Sequence, residues 1–455
     1  MRLVSGIGLS VIAAAGCQGD LEPDAQYVVF VDVNLPVPSH VAAHPEWRAA
    51  SVDTLRIEAL DGETCGPQRE IVAPDASDWP VSFGVVFEDA TTPVSLRLRA
   101  FASASAVAET VCGTTLLRAP AASTVERVVT LSPPDGIEVV RVVLDGACRN
   151  RRPSFQDGAE VTCVSASALE ASPEDGVESL VAPPSGSVAG TWAGAASREC
   201  RGQGPEGAVC VPGGFTQLGD VDLAGFGNAG TFVEPTPPRP VVLSPFWMDR
   251  HEVTVQQFEA LENPPEATSF DPSNPNASFC NLGRGEGSMP MNCLSRKAAR
   301  SVCAARGGTL PSEAQWEHAA RGRGRGWRYP WGDTVADDCV ASVDRPTLGT
   351  EPVASHPAGR CASNEHGDVS LDGVVDLAGS VAEHVRDDLL AYDQGCWSRP
   401  GVFVDPVCDA DEPSVEGSRG GDWSSAASFA ASPLRREAMV SNARLGFRCV
   451  YADES

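Results

Sequence analysis

The chain has 455 residues, 42% of them hydrophobic, which is room for two or three domains at roughly 100–200 residues each. Its 61 acidic and 34 basic residues leave a formal charge of −27, which repels a nucleic-acid phosphate backbone and gives no docking face for anionic headgroups. After residue 16 no apolar run is long enough to span a bilayer.

Residues 1–16 read as a processed export signal: Arg2 supplies a basic start, Leu3 to Ala15 are mostly apolar, and Ala14-Ala15-Gly16 lead into Cys17. This resembles a bacterial lipoprotein signal, with Cys17 as the lipidated first residue of the mature chain; the alternative is an ordinary secretory signal beside a chance cysteine. Fifteen cysteines less Cys17 leave an even set that an oxidising compartment can pair completely.

From residue 25 to 163, short β-branched runs such as Tyr27–Val33, Thr54–Leu60 and Val94–Ala100 alternate with Asp, Gly and Pro clusters. That pattern predicts an all-β N-terminal domain, an antiparallel sandwich. His40 and His44 fall in a Pro-flanked loop without a companion cluster and read as solvated. Proximity suggests Cys65 with Cys112 and Cys148 with Cys163, a pairing that spacing alone does not prove. Residues 164–205 turn rich in Ser, Ala, Gly, Pro and acidic side chains and predict a flexible linker, stapled at its end by Cys200 and Cys210.

From residue 206 to 452 the signals change. Thr254 and Gln257 frame a capping box for a helix Val255–Leu261, Ser295 caps a second helix that stops at Gly307-Gly308, and Ser312 with Gln315 opens a third. Trp316, Ala319 and Ala320 share one face of that third helix.

The strings Glu252-Val253-Thr254, Leu310-Pro311-Ser312-Glu313-Ala314, Pro330-Trp331-Gly332-Asp333, Asp376-Leu377-Ala378-Gly379, Arg419-Gly420-Gly421 and Gly446-Phe447-Arg448-Cys449, in this order, resemble the sulfatase-modifying-factor or formylglycine-generating-enzyme family. The resemblance implies an α+β domain of the C-type-lectin-like type. In catalytic members two cysteines after the Gly-Gly hold Cu(I) and activate oxygen; the matching positions are Ser425 and Ala430, and neither a hydroxyl nor a methyl replaces a soft thiolate. Copper is therefore not expected. Cys396 and Cys408, just upstream, are either a loop disulfide or stand-in thiolates.

The resemblance also implies a structural Ca²⁺ set of Asp376, Gly379, Val381 and Glu383, hard oxygens of the kind Ca²⁺ takes. Ser380 and Ala382 depart from the family's usual Asn and Trp, and a second Ca²⁺ site has no counterpart around Cys339 to Asp344. It implies a disulfide between Cys303 and Cys449, whereas the family's other bridge is missing at Ala320 and near Arg435. Proximity suggests Cys280 with Cys293 and Cys339 with Cys361. None of the seven histidines has the helical spacing of a three-histidine iron site, so His251, His318 and His384 read as structural or surface groups. No lectin sugar-binding tripeptide is present.

The resulting expectation is an outer-membrane lipoprotein of a Gram-negative-type cell envelope, held to the membrane by its lipid alone. Its C-terminal domain is expected to be a non-catalytic module for a protein, peptide or glycan, with no nucleic-acid partner. The alternative is a formylglycine-type oxidase acting on a protein or peptide cysteine through an altered metal site.

Overall fold

The computed structural model describes residues 3–4, 25–60, 67–87, 89–111, 114–225, 232–335, 337–345, 347–361, 365–409, 415–438 and 442–453. Cys17, Cys65 and Cys112 lie outside these residues. The chain divides into two compact units, residues 1–195 with 400–402 and residues 196–399 with 403–455.

The N-terminal unit is built from β1 (Gln26–Val33), β2 (Thr54–Leu60), β3 (Gln68–Val72), β4 (Val81–Val86), β5 (Val94–Phe101), β6 (Val107–Val111), β7 (Thr114–Arg118), β8 (Thr124–Leu131), β9 (Ile137–Leu144) and β10 (Val177–Leu180). One sheet runs β4-β1-β9-β10, with Leu3–Val4 at its edge, and a second runs β3-β2-β5-β8. Alternation places Val29, Val31 and Val33 of β1 and Leu96, Leu98 and Ala100 of β5 in the core.

Two features differ from the sequence expectation. β1 and β9 pair in parallel from Gln26 with Ile137 to Val33 with Leu144, so the unit is not a purely antiparallel sandwich. The segment 164–205 is not a free tether either. Its strand β10 pairs with β9, the Ser187 hydroxyl (2.6 Å) and the Val188 amide (3.0 Å) donate to the buried Asp32 carboxylate, and Trp192 is buried. Composition missed this because a few well-placed donors and one indole anchor a chain that is otherwise polar.

The second unit is β-rich with three short helices among the described residues. Its strands are β11 (Ala208–Val211), β12 (Gly214–Leu218), β13 (Phe232–Val233), β14 (Arg239–Leu243), β15 (Phe246–Asp249), β16 (Ala382–Asp388), β17 (Phe403–Val404), β18 (Glu416–Arg419), β19 (Arg435–Glu437), β20 (Leu445–Gly446) and β21 (Val450–Ala452). They form the sheets β11-β15-β21, β12-β14-β17 and β13-β19-β18-β16-β20. The helices are α1 (Val255–Glu259), α2 (Arg296–Ala305) and α3 (Glu313–Ala320).

Each helix begins where its cap places it. The Thr254 hydroxyl accepts from the Gln257 amide (3.2 Å), Ser295 from Ala298 (3.2 Å) and Ser312 from Gln315 (3.1 Å). Helix α1 ends two residues short of Leu261. Helix α3 is buried on every side: Trp316, Ala319 and Ala320 face the core as expected, but Glu313, Glu317 and His318 are also enclosed. Among the described residues six disulfides join Cys148 to Cys163, Cys200 to Cys210, Cys280 to Cys293, Cys303 to Cys449, Cys339 to Cys361 and Cys396 to Cys408.

Candidate functional site

Two loops meet beside α3. The Gly379 amide donates to the Gly420 carbonyl (2.8 Å), Trp423 to Ser380 (2.9 Å), Ser380 to Ser342 (2.9 Å) and Asp344 to Ser425 (2.8 Å). The segment from Asp376 and the turn after Arg419 are therefore one structure. A Cβ at Gly420 would stand 3.0 Å from both the Leu377 carbonyl oxygen and the Trp316 ring, at a φ of +94°, so this turn requires glycine.

Ser425 and Ala430 have plain structural roles. The Ser425 hydroxyl accepts from the Asp422 amide (3.1 Å), closing a tight turn. Ala430 is fully buried in the cluster of Trp331, Val340, Val343 and Leu434. The hollow beside Gly421, lined by Phe232, Ala382, Phe429 and Arg436 among others, holds about 10 Å³, room for one water at most. Phe232 stacks on Phe429 at 5.0 Å within this lining.

Cys396 and Cys408 are joined to each other, and Cys408 belongs to a different cluster, with Tyr392, Trp397 and Phe403. Every described cysteine is disulfide-bonded, so none of the described cysteines offers a thiolate to stand in.

A buried polar lattice surrounds these loops. Arg448 sends Nε and a terminal nitrogen to the two oxygens of Glu383 (2.7 and 2.6 Å) and reaches the carbonyls of Val375 and Asp376 (3.0 and 3.1 Å). The Trp316 indole also donates to Glu383 (2.9 Å). Asp376 accepts from the Ala354 amide. Its carboxyl is raised by burial against that amide's opposing pull.

Glu252 and Asp368 share this region. Both are fully buried, and both Glu252 oxygens and Asp368 Oδ1 lack a hydrogen-bond donor. Burial first, and then the Asp376 carboxylate, push both carboxyls well above the usual range. The implied Ca²⁺ set does not fit this arrangement, because the Glu383 carboxylate is already neutralised by a bidentate guanidinium and a third donor.

A second lattice ties α3 to the Gly-Gly turn. Arg419 reaches Glu317 (2.6 Å) and Arg435 reaches Glu313 (3.1 and 2.7 Å), all four buried. The Arg435 guanidinium lies 3.7 Å from the Tyr392 ring centroid, and Ser432 donates to the Ala320 carbonyl (3.3 Å). The place where the family's second bridge is missing is thus held by ion pairs. Asp387, buried beside Glu313, accepts from the amides of Glu313 (2.8 Å) and Cys408 (2.7 Å). Burial, and then Glu313, raise it to about 7.

The histidines serve separate carbonyls: His318 at Pro212 (2.9 Å), His384 at Leu294 (3.2 Å) and His251 at Glu252 (2.7 Å). Burial lowers His318 and His384 to about 4. Among the described residues the one compact metal-type trio is Asp337 with Cys339 and Cys361, and its two sulfurs form a disulfide. Glu252, Asp368, Glu313 and Arg435 were not singled out from the sequence as polar partners. The one available signal was the carboxylates and arginines standing inside otherwise apolar strings.

This architecture defines a disulfide-stapled, β-rich domain organised around buried arginine–carboxylate pairs. The profile of the sulfatase-modifying factor enzyme 1-like domain matches residues 193–453, more than half of the chain, and the chain belongs to that family. It is 29% identical over 166 residues to the formylglycine-generating enzyme of Thermomonospora curvata, covering 29% of this chain and 54% of that protein. It is 40% identical over 115 residues to the Bos taurus protein named inactive C-alpha-formylglycine-generating enzyme 2, covering 23% and 35%. It is 28% identical over 137 residues to a hercynine oxygenase of Mycolicibacterium thermoresistibile, covering 30% and 27%. The chain thus spans between about a quarter and about half the length of these relatives. Among solved structures it is similar to PvdO from Pseudomonas aeruginosa, with a TM-score of 0.42 and 21% identity over 53% of this chain and 93% of that one.

Proposed function

We propose that this chain is an envelope-anchored, non-catalytic member of the formylglycine-generating-enzyme family, whose C-terminal domain is a C-type-lectin-like variant that serves as a binding module for a protein, peptide or glycan. One observation carries the reading: the two positions that supply copper thiolates in catalytic members are a turn-closing serine and a packed alanine, and every described cysteine is in a disulfide. Cu(I) sites need soft ligands, and the fold offers none there. The relative whose name marks it as inactive supports the same direction. Anchoring through a lipid on Cys17 belongs to this proposal.

The test incubates the full mature chain with Cu(I), oxygen and a Cys-x-Pro-x-Arg peptide, following oxygen uptake and peptide mass. The expected result is neither uptake above the copper-only control nor any change in the peptide. Turnover of the cysteine to an aldehyde would establish the oxidase instead.

A further inference from the structure

The unit outside the family match holds a polar cavity of about 330 Å³. It lies against the face of β3-β2-β5-β8 opposite to Leu96 and Leu98, under the hairpin β6–β7. Arg56, Arg97, Arg99, Arg118, Arg151 and Arg152 line it. Six guanidinium groups around one small cavity, in a chain of net charge −27, reverse the sign of the rest of the molecule.

The first four arginines have carboxylate partners. Arg56 meets Glu70 at 2.6 Å, Arg97 meets Glu126 at 3.2 Å, Arg99 meets Glu58 at 3.2 Å, and Arg118 meets Glu109 at 3.7 Å. Alternation along β2 and β5 creates this lattice: Arg56 and Glu58 stand across from Arg99 and Arg97 on one face. Arg151 and Arg152 form no ion pair with any described residue, so the cavity retains two positive charges beyond its carboxylates. The Arg97 Nε, the nitrogen nearest Glu126, is buried and its N–H is not aligned on that carboxylate.

We propose that this cavity binds a compact anion carrying carboxylate, phosphate or sulfate groups. Guanidinium forks match the paired oxygens of these groups, and the cavity is at the lower end of small-molecule sites, roughly 300–1,000 Å³. Phe101 and Leu117 form a short apolar wall beside the charges. The site stands in a different unit from the family domain, so it holds or fails independently of the function proposed above.

The test is calorimetric titration and thermal unfolding of the full mature chain with citrate, inorganic phosphate and inorganic sulfate, against chloride at matched ionic strength. At least one oxyanion is expected to bind one per chain and raise the melting temperature, with affinity falling as salt is added. A preference for phosphate and sulfate assigns a tetrahedral anion, and a preference for citrate assigns a carboxylate ligand. Arg151→Gln with Arg152→Gln leaves the sheet lattice intact and should weaken binding at least tenfold; Arg118→Gln, on the exposed hairpin, is an independent second variant with the same direction. No binding beyond chloride, or undiminished binding in both folded variants, would overturn the site.

Discussion

Glu383 is the residue on which the metal question turns. Read from the family strings it is a calcium ligand, but Arg448 and the Trp316 indole claim its oxygens in the interior. Removing one partner of a buried pair leaves the other charge uncompensated and typically costs about 3–5 kcal/mol. Glu383→Gln should therefore lower the urea midpoint strongly, whereas a chelator added to the wild-type chain should leave it unchanged. A chelator-induced loss that added Ca²⁺ restores would return the residue to the metal.

His384 permits a pH test at the same scale. Its ring stays neutral in the fold down to about pH 4 because burial penalises the imidazolium, while in the unfolded chain it takes a proton near pH 6.5. Its contribution is therefore complete above pH 6.5 and is lost as pH falls toward 4, on the order of 3 kcal/mol in all. Asp387, raised to about 7, acts in the other direction, losing stability as pH rises from about 4 to about 7. Comparing His384→Phe with wild type isolates the ring: the difference in unfolding free energy should move in the variant's favour from pH 7 to pH 4. A difference independent of pH would contradict the buried neutral ring.

At the scale of elements, the Cys303–Cys449 bridge joins α2 to the residue just before the last strand across a sequence separation of 146. By loop entropy such a closure stabilises by about 5 kcal/mol. The double variant Cys303→Ala with Cys449→Ala should show that order of loss in equilibrium unfolding, and a loss below about 1 kcal/mol would mean the bridge adds little to packing that already holds. The helices were legible because Thr254, Ser295 and Ser312 are local devices whose geometry depends on three neighbouring residues. The parallel pairing of β1 with β9 was not, because it joins segments separated by most of a unit and leaves the same alternation in each strand as an antiparallel pair would. The segment around β10 was misread for a related reason: its anchors are single groups, Ser187, Val188 and Trp192, and composition averages them away.

For the whole molecule, the ensemble of strings from Glu252 to Cys449 was enough to reach the family, which the match over residues 193–453 establishes. The interior polar lattice was hidden, since a sequence gives no sign that Glu313 will meet Arg435 or that Glu252 will be enclosed beside Asp376. The export reading predicts that the wild-type chain, expressed with its native start in a Gram-negative host, fractionates with membranes, and that Cys17→Ser releases it to the soluble fraction. Equal fractionation of the two would remove the lipid anchor from the account.

As proposed above, the domain keeps the family fold without its copper chemistry. A competition titration of the folded mature chain with a Cu(I) chelator probe tests it most directly. No stoichiometric high-affinity Cu(I) should transfer from the probe to the protein; one equivalent bound tightly, and abolished by replacing a residue at the Gly420–Ala430 turn, would contradict it.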